Sequence, residues 1–148
     1  MDTPIINDPN IPFQTWRQAY LYGKNNFIGE YWNESAKVSI NVTAKRLRKL
    51  IGPSVSSRSV SKQVHMKAYF QIPAIIKSGI LVSREPCKKG DKNVKEVLNF
   101  DAVVSINSLD YAVHFLVKAF VEESQGNNLH FYEVQEMVMV EKQETESL

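Results

Sequence analysis

The sequence predicts an α+β fold in which N-terminal helices pack on a C-terminal antiparallel β-meander. Apolar residues recur at helical spacing in the first half of the chain, whereas the second half alternates apolar and polar residues over long runs. Helices first and strands last is the order typical of α+β proteins. At 148 residues, 43% of them apolar, the chain is long enough for one core, so we predict a single domain over 1–148.

The N-terminal part is predicted to be an extended lead-in followed by a helix and a hairpin. Residues 1–12 hold three prolines among Asp and Asn residues, a composition typical of turns. Thr15 can cap a helix that begins at Trp16 and ends near Asn26. Residues that favour strands then flank a turn at 33–36, which indicates a β-hairpin.

Two further helices are predicted in the middle of the chain. Thr43 can cap a short helix that ends at Gly52, and Ser61 can cap a longer helix that ends at Gly79. Pro73 lies inside the longer helix and should kink or restart it, because proline has no backbone N–H to donate.

The second half of the chain predicts strands. A short strand at 80–85 and a loop at 87–93 precede three longer strands. Turns at 107–110 and 125–128 join the longer strands into an antiparallel meander, which buries one face and leaves the other wet. Residues 139–148 are predicted to be a frayed acidic tail.

Alternation along the strands predicts which residues face the core. On the second long strand the core face consists of Tyr111, Val113, Phe115 and Val117. His114 and Lys118 share the more polar face, where they line a site or face water. The same spacing places Val134 and Glu136 together on one face of the last strand.

Charge is distributed unevenly along the chain. The formal net charge is −1 over 1–42, +10 over 43–92 and −7 over 93–148. This pattern is consistent with internal pairing of the basic middle and the acidic end, with a solvated polar face, or with contact with nucleic acid.

Composition excludes several classes of protein. The apolar runs are far shorter than the roughly 18–20 residues that cross a bilayer, and the N-terminus has no basic-then-apolar leader. The single cysteine, Cys87, cannot form an internal disulfide, and three histidines do not complete a zinc site at the usual spacings. We therefore predict a reducing, cytoplasmic location, no membrane contact, no metal and no cofactor.

Several residues of the basic segment could carry acid–base and phosphate chemistry. His65 is the best candidate acid or base, because the ordinary pKa of histidine lies near neutrality. Ser61 and Lys62, at a helix start, can hold a phosphate through free backbone N–H groups, with Lys67 and Arg58 as neighbouring cations. Ordinary alternatives remain open: a helix cap for Ser61 and a solvated surface position for His65.

Two segments carry a family resemblance, SVSKQVHMKAYFQIPAIIKSGIL and INSLDYAVHFLVK. With the flanking chain from about 11 to 138, they resemble the large polyvalent protein-associated domain 3 family. This is a nuclease-like domain of phages and mobile elements, similar to the barnase–EndoU–colicin–RelE group. The resemblance implies helices packed on an antiparallel sheet and ribonuclease chemistry that needs no metal.

The resemblance also implies site residues. Those that match the family pattern are Ser61, Lys62, His65, Tyr111 and Lys118. One position departs from it, because Glu85 stands before Pro86 where many members have a histidine. The chain then uses Glu85 as the base, recruits His114, or is inactive.

Together these features predict a ribonuclease-like effector of a phage or mobile element, acting in the cytoplasm of a bacterial host. Cleavage would proceed by attack of the RNA 2′-hydroxyl, with RNA and a cognate inhibitor protein as the expected partners. The alternative is a catalytically inactive module of the same fold that binds RNA or an acidic protein. A structural phage protein, with its basic residues paired internally, is the third hypothesis.

Overall fold

The computed structural model describes residues 5–6, 10–51, 61–86, 94–106, 108–124 and 127–141. Within them the α+β class is confirmed, with four helices and one seven-stranded sheet. In chain order the elements are β1 (Ile5–Ile6), α1 (Trp16–Asn26), β2 (Gly29–Asn33), β3 (Val38–Val42), α2 (Ala44–Leu50), α3 (Lys62–Phe70), α4 (Ile72–Ser78), β4 (Ile80–Pro86), β5 (Val94–Ile106), β6 (Leu109–Ser124) and β7 (Asn127–Glu141).

The helices begin where their predicted caps lie. A side-chain oxygen of Thr15, Thr43 and Ser61 accepts a hydrogen bond from the backbone N–H three residues later, at 3.1, 3.3 and 3.1 Å. The break predicted at Pro73 is confirmed: α3 ends at Phe70, and Pro73 lies in the first turn of α4, where its missing N–H is tolerated. The longest described helix has 11 residues, and none in the described ranges is long and apolar enough to span a membrane.

The sheet contains the predicted meander and two pairings that join distant parts of the chain. Its strand order is β1-β5-β6-β7-β3-β2, with β4 also paired to β5. The strands β5, β6 and β7 are antiparallel neighbours, as predicted. The predicted hairpin β2–β3 joins this meander through a parallel pairing of β3 with β7. A second parallel pairing places β1 beside β5.

The helices bury one face of the sheet. All four predicted core residues of β6 are buried, at no more than 9% exposure, and belong to the same hydrophobic core as Leu47, Met66, Ile72 and Ile75 of the helices. The rings of Phe100 and Phe115 stack at 4.8 Å within this core. On the opposite side of the meander His114 is exposed, and Leu116 and Lys118 are half-buried. We call this side the open face.

A β-bulge in β7 corrects the predicted alternation of that strand. Val134 pairs with Val117, whereas Glu136 pairs with Leu116, so Gln135 is an extra residue without a partner in the ladder. Val134 is therefore buried on the helix-covered side, and Glu136 lies on the open face. The prediction that these two residues share a face was wrong, because one inserted residue reverses the alternation that follows it.

Asn33, at the end of β2, links the hairpin to the end of α4. Its fully buried side-chain amide donates hydrogen bonds to the carbonyls of Ile76 and Gly79, at 2.7 and 2.9 Å. Its side-chain oxygen accepts a hydrogen bond from the backbone N–H of Ala36 at 2.8 Å. The same side chain therefore satisfies two carbonyls at a helix terminus and one N–H in a turn.

Replacing Asn33 by Ala should lower the free energy of unfolding by about 2 to 4 kcal/mol, because three buried backbone groups lose their partner. Asn33→Asp, which keeps the size, should be at least as damaging, since a carboxylate cannot donate to two carbonyls. The exposed Asn25→Ala is the matched control and should change stability by less than about 0.5 kcal/mol. Urea unfolding measures all three, and an Asn33→Ala variant as stable as the control would contradict the assigned role.

Candidate functional site

The sequence-predicted site residues lie on two opposite sides of the sheet. On the helix-covered side are Ser61, Lys62, His65 and Lys67 of α3 and Tyr111 of β6. On the open face are Lys118 and Glu85, together with His114. Arg58 and Cys87 lie outside the described residues. The predicted set is therefore not assembled into one site.

His65 is buried between helices. Its ring is 1% exposed, and its Nε2 lies 2.6 Å from the carbonyl oxygen of Leu50, the last residue of α2. A carbonyl only accepts, so Nε2 carries the hydrogen and the ring closes the end of α2. The rings of Trp16 and His65 pack edge to face, with their centroids 5.8 Å apart. A group that exchanges protons with RNA must reach the substrate, and this ring instead holds α2 against α3.

The other predicted residues of the helix-covered side also have structural contacts. Ser61 caps α3 through its hydroxyl oxygen, and the exposed Lys62 places its Nζ 5.3 Å from the centre of the Trp16 ring. Tyr111 is 9% exposed and belongs to the core. Its phenol lies on the opposite side of the sheet from Lys118, so the two cannot act on one phosphate.

A groove of about 500 Å³ lies along the open face. Apolar walls are contributed by Val82, Leu116 and Val138. The polar lining consists of Ser83, Asn99, Asp101, His114 and Glu136. A concave surface that combines apolar walls with a few converging polar groups is the usual form of a ligand site, so we take this groove as the candidate functional site.

His114 and Asp101 form the centre of the groove. They are directly opposite each other on β6 and β5, and Nδ1 of the histidine is hydrogen-bonded to Oδ1 of the aspartate. The two side chains are 52% and 43% exposed. An ionised carboxylate only accepts, so Nδ1 carries the hydrogen and Nε2 is the nitrogen that can exchange a proton with a ligand.

Glu136, Asn99 and Ser83 surround this pair. Glu136 on β7 is the diagonal neighbour of His114 on β6, and residues at such diagonal positions are about 7–8 Å apart. The amide of Asn99 donates a hydrogen bond of 3.1 Å to the hydroxyl of Ser83 on the neighbouring strand. The groove thus holds a histidine and a carboxylate at diagonal positions on neighbouring strands, an arrangement that suits proton transfer.

Lys118 and Glu85 lie further along the open face. The register puts Glu85, Val97, Lys118 and Glu133 in one row across four strands, two rows from His114.

In the described part of the chain, no group of three or more His, Cys, Asp or Glu residues is arranged to hold a metal ion.

The sequence suggested His114 as a replacement for the missing family histidine, but it did not point to Asp101 or Glu136 as site residues. Asp101 was missed because the predicted turn at 107–110 centres the hairpin one residue too late. The observed strands end at Ile106 and begin again at Leu109, and this register places Asp101 opposite His114. Glu136 was missed because the bulge at Gln135 that places it on the open face leaves no signal in the alternation.

A family comparison covers most of the chain. The model of large polyvalent protein-associated domain 3 matches residues 12–132. The chain belongs to this family. No curated protein and no solved structure matches it.

The matched range of this domain 3 chain includes α1 to α4 and the Asp101–His114 pair. Glu136 and the β-bulge lie just beyond its end. The family match confirms the family resemblance of the sequence, and the nuclease likeness remains a proposal.

Burial of His65 should make stability depend on pH. Desolvation lowers the pKa of its imidazole below the ordinary value of 6.5, and the hydrogen bond with Leu50 opposes this more weakly. Because the folded-state pKa lies below the unfolded one, this contribution is complete above the unfolded value and declines as pH falls below it.

We therefore expect the free energy of unfolding to fall by up to about 1.4 kcal/mol per pH unit below about pH 6.5. His65→Gln, which keeps an N–H for Leu50, should remove this slope, whereas His114→Gln on the open face should keep it. Urea unfolding across this range measures both variants. The hydrogen bond with Arg84 lowers the pKa of Glu96 below 4.5, so this carboxyl does not contribute to the slope near pH 6. Equal slopes for the wild type and His65→Gln would refute the assignment.

Proposed function

We propose that this domain cleaves RNA without a metal and that the chemistry takes place in the groove of the open face. One observation carries the proposal: the hydrogen-bonded His114–Asp101 pair lies diagonally across from Glu136 on exposed strands. The resemblance to the phage barnase–EndoU–colicin–RelE group supports the same reaction class. The proposal includes RNA as the substrate, a cognate inhibitor protein as a partner, and the cytoplasm of a bacterial host as the location.

Cleavage of RNA by its own 2′-hydroxyl needs one group to remove that proton and another to protonate the leaving 5′-oxygen. In the proposed mechanism the Glu136 carboxylate takes the 2′-hydroxyl proton and Nε2 of His114 gives a proton to the leaving oxygen. The 2′-oxygen bonds to phosphorus as the bond to the 5′-oxygen breaks. The products are a 2′,3′-cyclic phosphate and a 5′-hydroxyl end.

Asp101 has a positioning role in this mechanism. Its carboxylate fixes the ring of His114 with Nε2 directed away from the hydrogen bond, and its charge stabilises the protonated ring. Lys118, four residues beyond His114 on the same strand face and thus about 13 Å away, would bind a flanking phosphate rather than the one attacked. Glu85, in the row of Lys118, is the alternative base that the sequence suggested.

The test uses purified protein and total RNA in EDTA, with mapping of the product ends. His114→Ala should lower the cleavage rate by about 10²- to 10⁴-fold, the usual contribution of a general acid or base. Glu136→Gln should have a similar effect if Glu136 is the base, and Glu85→Gln should have little. Asp101→Asn should lower the rate while shifting its pH profile, which a purely structural change would not do.

His65→Gln is the matched control, because it changes the other described histidine of the sequence-predicted site and leaves the open face intact. Under the proposal it keeps its activity at temperatures well below its melting point. Loss of cleavage in this variant alone would return the chemistry to His65. Cleavage only after addition of a divalent metal would refute the mechanism.

The inactive binding module is a second candidate, favoured by the charge of the open face. Asp101, Glu136 and Glu85 place three carboxylates there beside Lys118 and His114. Repulsion between these carboxylates and phosphates would oppose catalysis on RNA. Wild-type protein that yields no cyclic phosphate ends under any of these conditions, but still binds RNA with an affinity that falls steeply with salt, would favour this second candidate over the first.

A further inference from the structure

The four described helices carry nine Lys and Arg residues and no Asp or Glu. Arg46 is the member with a described carboxylate partner, Glu133, at 2.9 Å, and both side chains are largely buried. The pattern is unusual for surface helices, which ordinarily mix the two signs of charge. It leaves the helix-covered side of the molecule basic, whereas the open face is rich in carboxylates.

Three exposed cations of this layer form one continuous patch around α1. The guanidinium of Arg48 lies over the Tyr20 ring, 5.1 Å from its centre, and Nζ of Lys62 lies over the Trp16 ring at 5.3 Å. Trp16 and Tyr20 are one helical turn apart and so share a face of α1. Arg17 is exposed beside them.

We propose that Arg17, Arg48 and Lys62, with the Trp16 and Tyr20 rings, form a surface that binds the phosphate backbone of single-stranded RNA. We call it the basic helical surface. It lies on the opposite side of the sheet from the groove, and its argument uses no catalytic step. It therefore adds a binding site to the proposed function without depending on it.

The contacts explain why these cations suit phosphates. A cation held over an aromatic face keeps a defined position, because the ring quadrupole attracts it and restricts its rotamers. Each then needs less ordering when a phosphate arrives, which lowers the entropic cost of binding. Arg48 adds a planar guanidinium that can donate two parallel hydrogen bonds to one phosphate.

An acidic protein is the less favoured occupant. Stable protein interfaces have an apolar centre from which charged residues are depleted. On the described helices, Leu21 is the large apolar side chain with substantial exposure, at 46%, and two lysine or arginine residues, Arg17 and Lys24, lie one helical turn before and after it. Interfaces with nucleic acid are instead polar and strongly basic, as this surface is.

The test measures binding of a 2′-O-methyl oligouridine of about 20 nucleotides by fluorescence anisotropy, in a series of salt concentrations. Methylation blocks attack by the 2′-oxygen, so cleavage cannot affect the signal. The triple variant Arg17→Gln, Arg48→Gln, Lys62→Gln should bind about 50-fold more weakly near 0.15 M salt. The slope of log K against log salt should become less steep by about 2, the value for three lost phosphate contacts on a single strand.

Two control variants separate this surface from net charge and from folding. The triple variant Lys37→Gln, Lys77→Gln, Lys95→Gln removes the same charge from exposed positions elsewhere, including a lysine over another aromatic ring, Tyr31. It should lose no more than a few-fold in affinity. The swap Arg17→Lys, Arg48→Lys, Lys62→Arg keeps the charge and should retain most of the affinity.

Equal losses in the two charge-removing triple variants would overturn the proposal, because binding would then follow net charge alone. If poly-glutamate binds the wild type as tightly as the RNA does, with the same salt slope, the ligand of this surface is an acidic protein and not RNA. A chain that binds through this surface but never cleaves RNA would refute the proposed ribonuclease and leave the surface standing. Cleavage of RNA by the wild type, together with unchanged RNA binding by the variant Arg17→Gln, Arg48→Gln, Lys62→Gln, would refute the binding surface and leave the proposed ribonuclease standing.

Discussion

The buried side chain of Asn33 holds together parts of the chain that are 43 and 46 residues apart. A second bond reinforces the link, since the backbone N–H of Leu81 donates to the hydroxyl of Ser35 at 2.8 Å. Asn33 ends β2 and binds the end of α4, whereas Ser35, in the turn after β2, binds β4. The bonds therefore hold one edge of the sheet, β2, close to β4, which pairs with β5 near the other end of the strand order. The sheet must therefore bend around the helices, which encloses the core on one side and leaves β5 to β7 uncovered on the other.

The polar side chains on the two sides of the sheet differ in their contacts and in their exposure. On the helix-covered side, polar groups stabilise the fold: His65 closes the end of α2, and the hydroxyl of Tyr69 donates to the carbonyl of Ala19 at 2.9 Å. The open face keeps a histidine and carboxylates at half-exposed positions. This separation is why His65, on a helix, is buried against the carbonyl of Leu50, whereas His114, on a strand, lines the groove.

Local sequence predicted most of the fold because its signals are local. Caps at Thr15, Thr43 and Ser61, the break at Pro73 and the alternation in β6 each depend on a few neighbouring residues. The pairing of β3 with β7 and the bulge at Gln135 depend on contacts between distant segments, and they were missed. The same limit affected the site, since the burial of His65 depends on Leu50 and Trp16 in other helices.

The parallel pairing of β3 with β7 also constrains the order of events during synthesis. Ile40 cannot meet Tyr132 until the last strand has left the ribosome, although the helices that follow β3 emerge much earlier. Ile72, Ile75 and Ile76, fully buried in the finished protein, have no meander to cover them in that interval. The nascent chain therefore exposes its most apolar helix to chaperones or to aggregation until β7 has been synthesised, and a long-range closure of this kind makes folding slow.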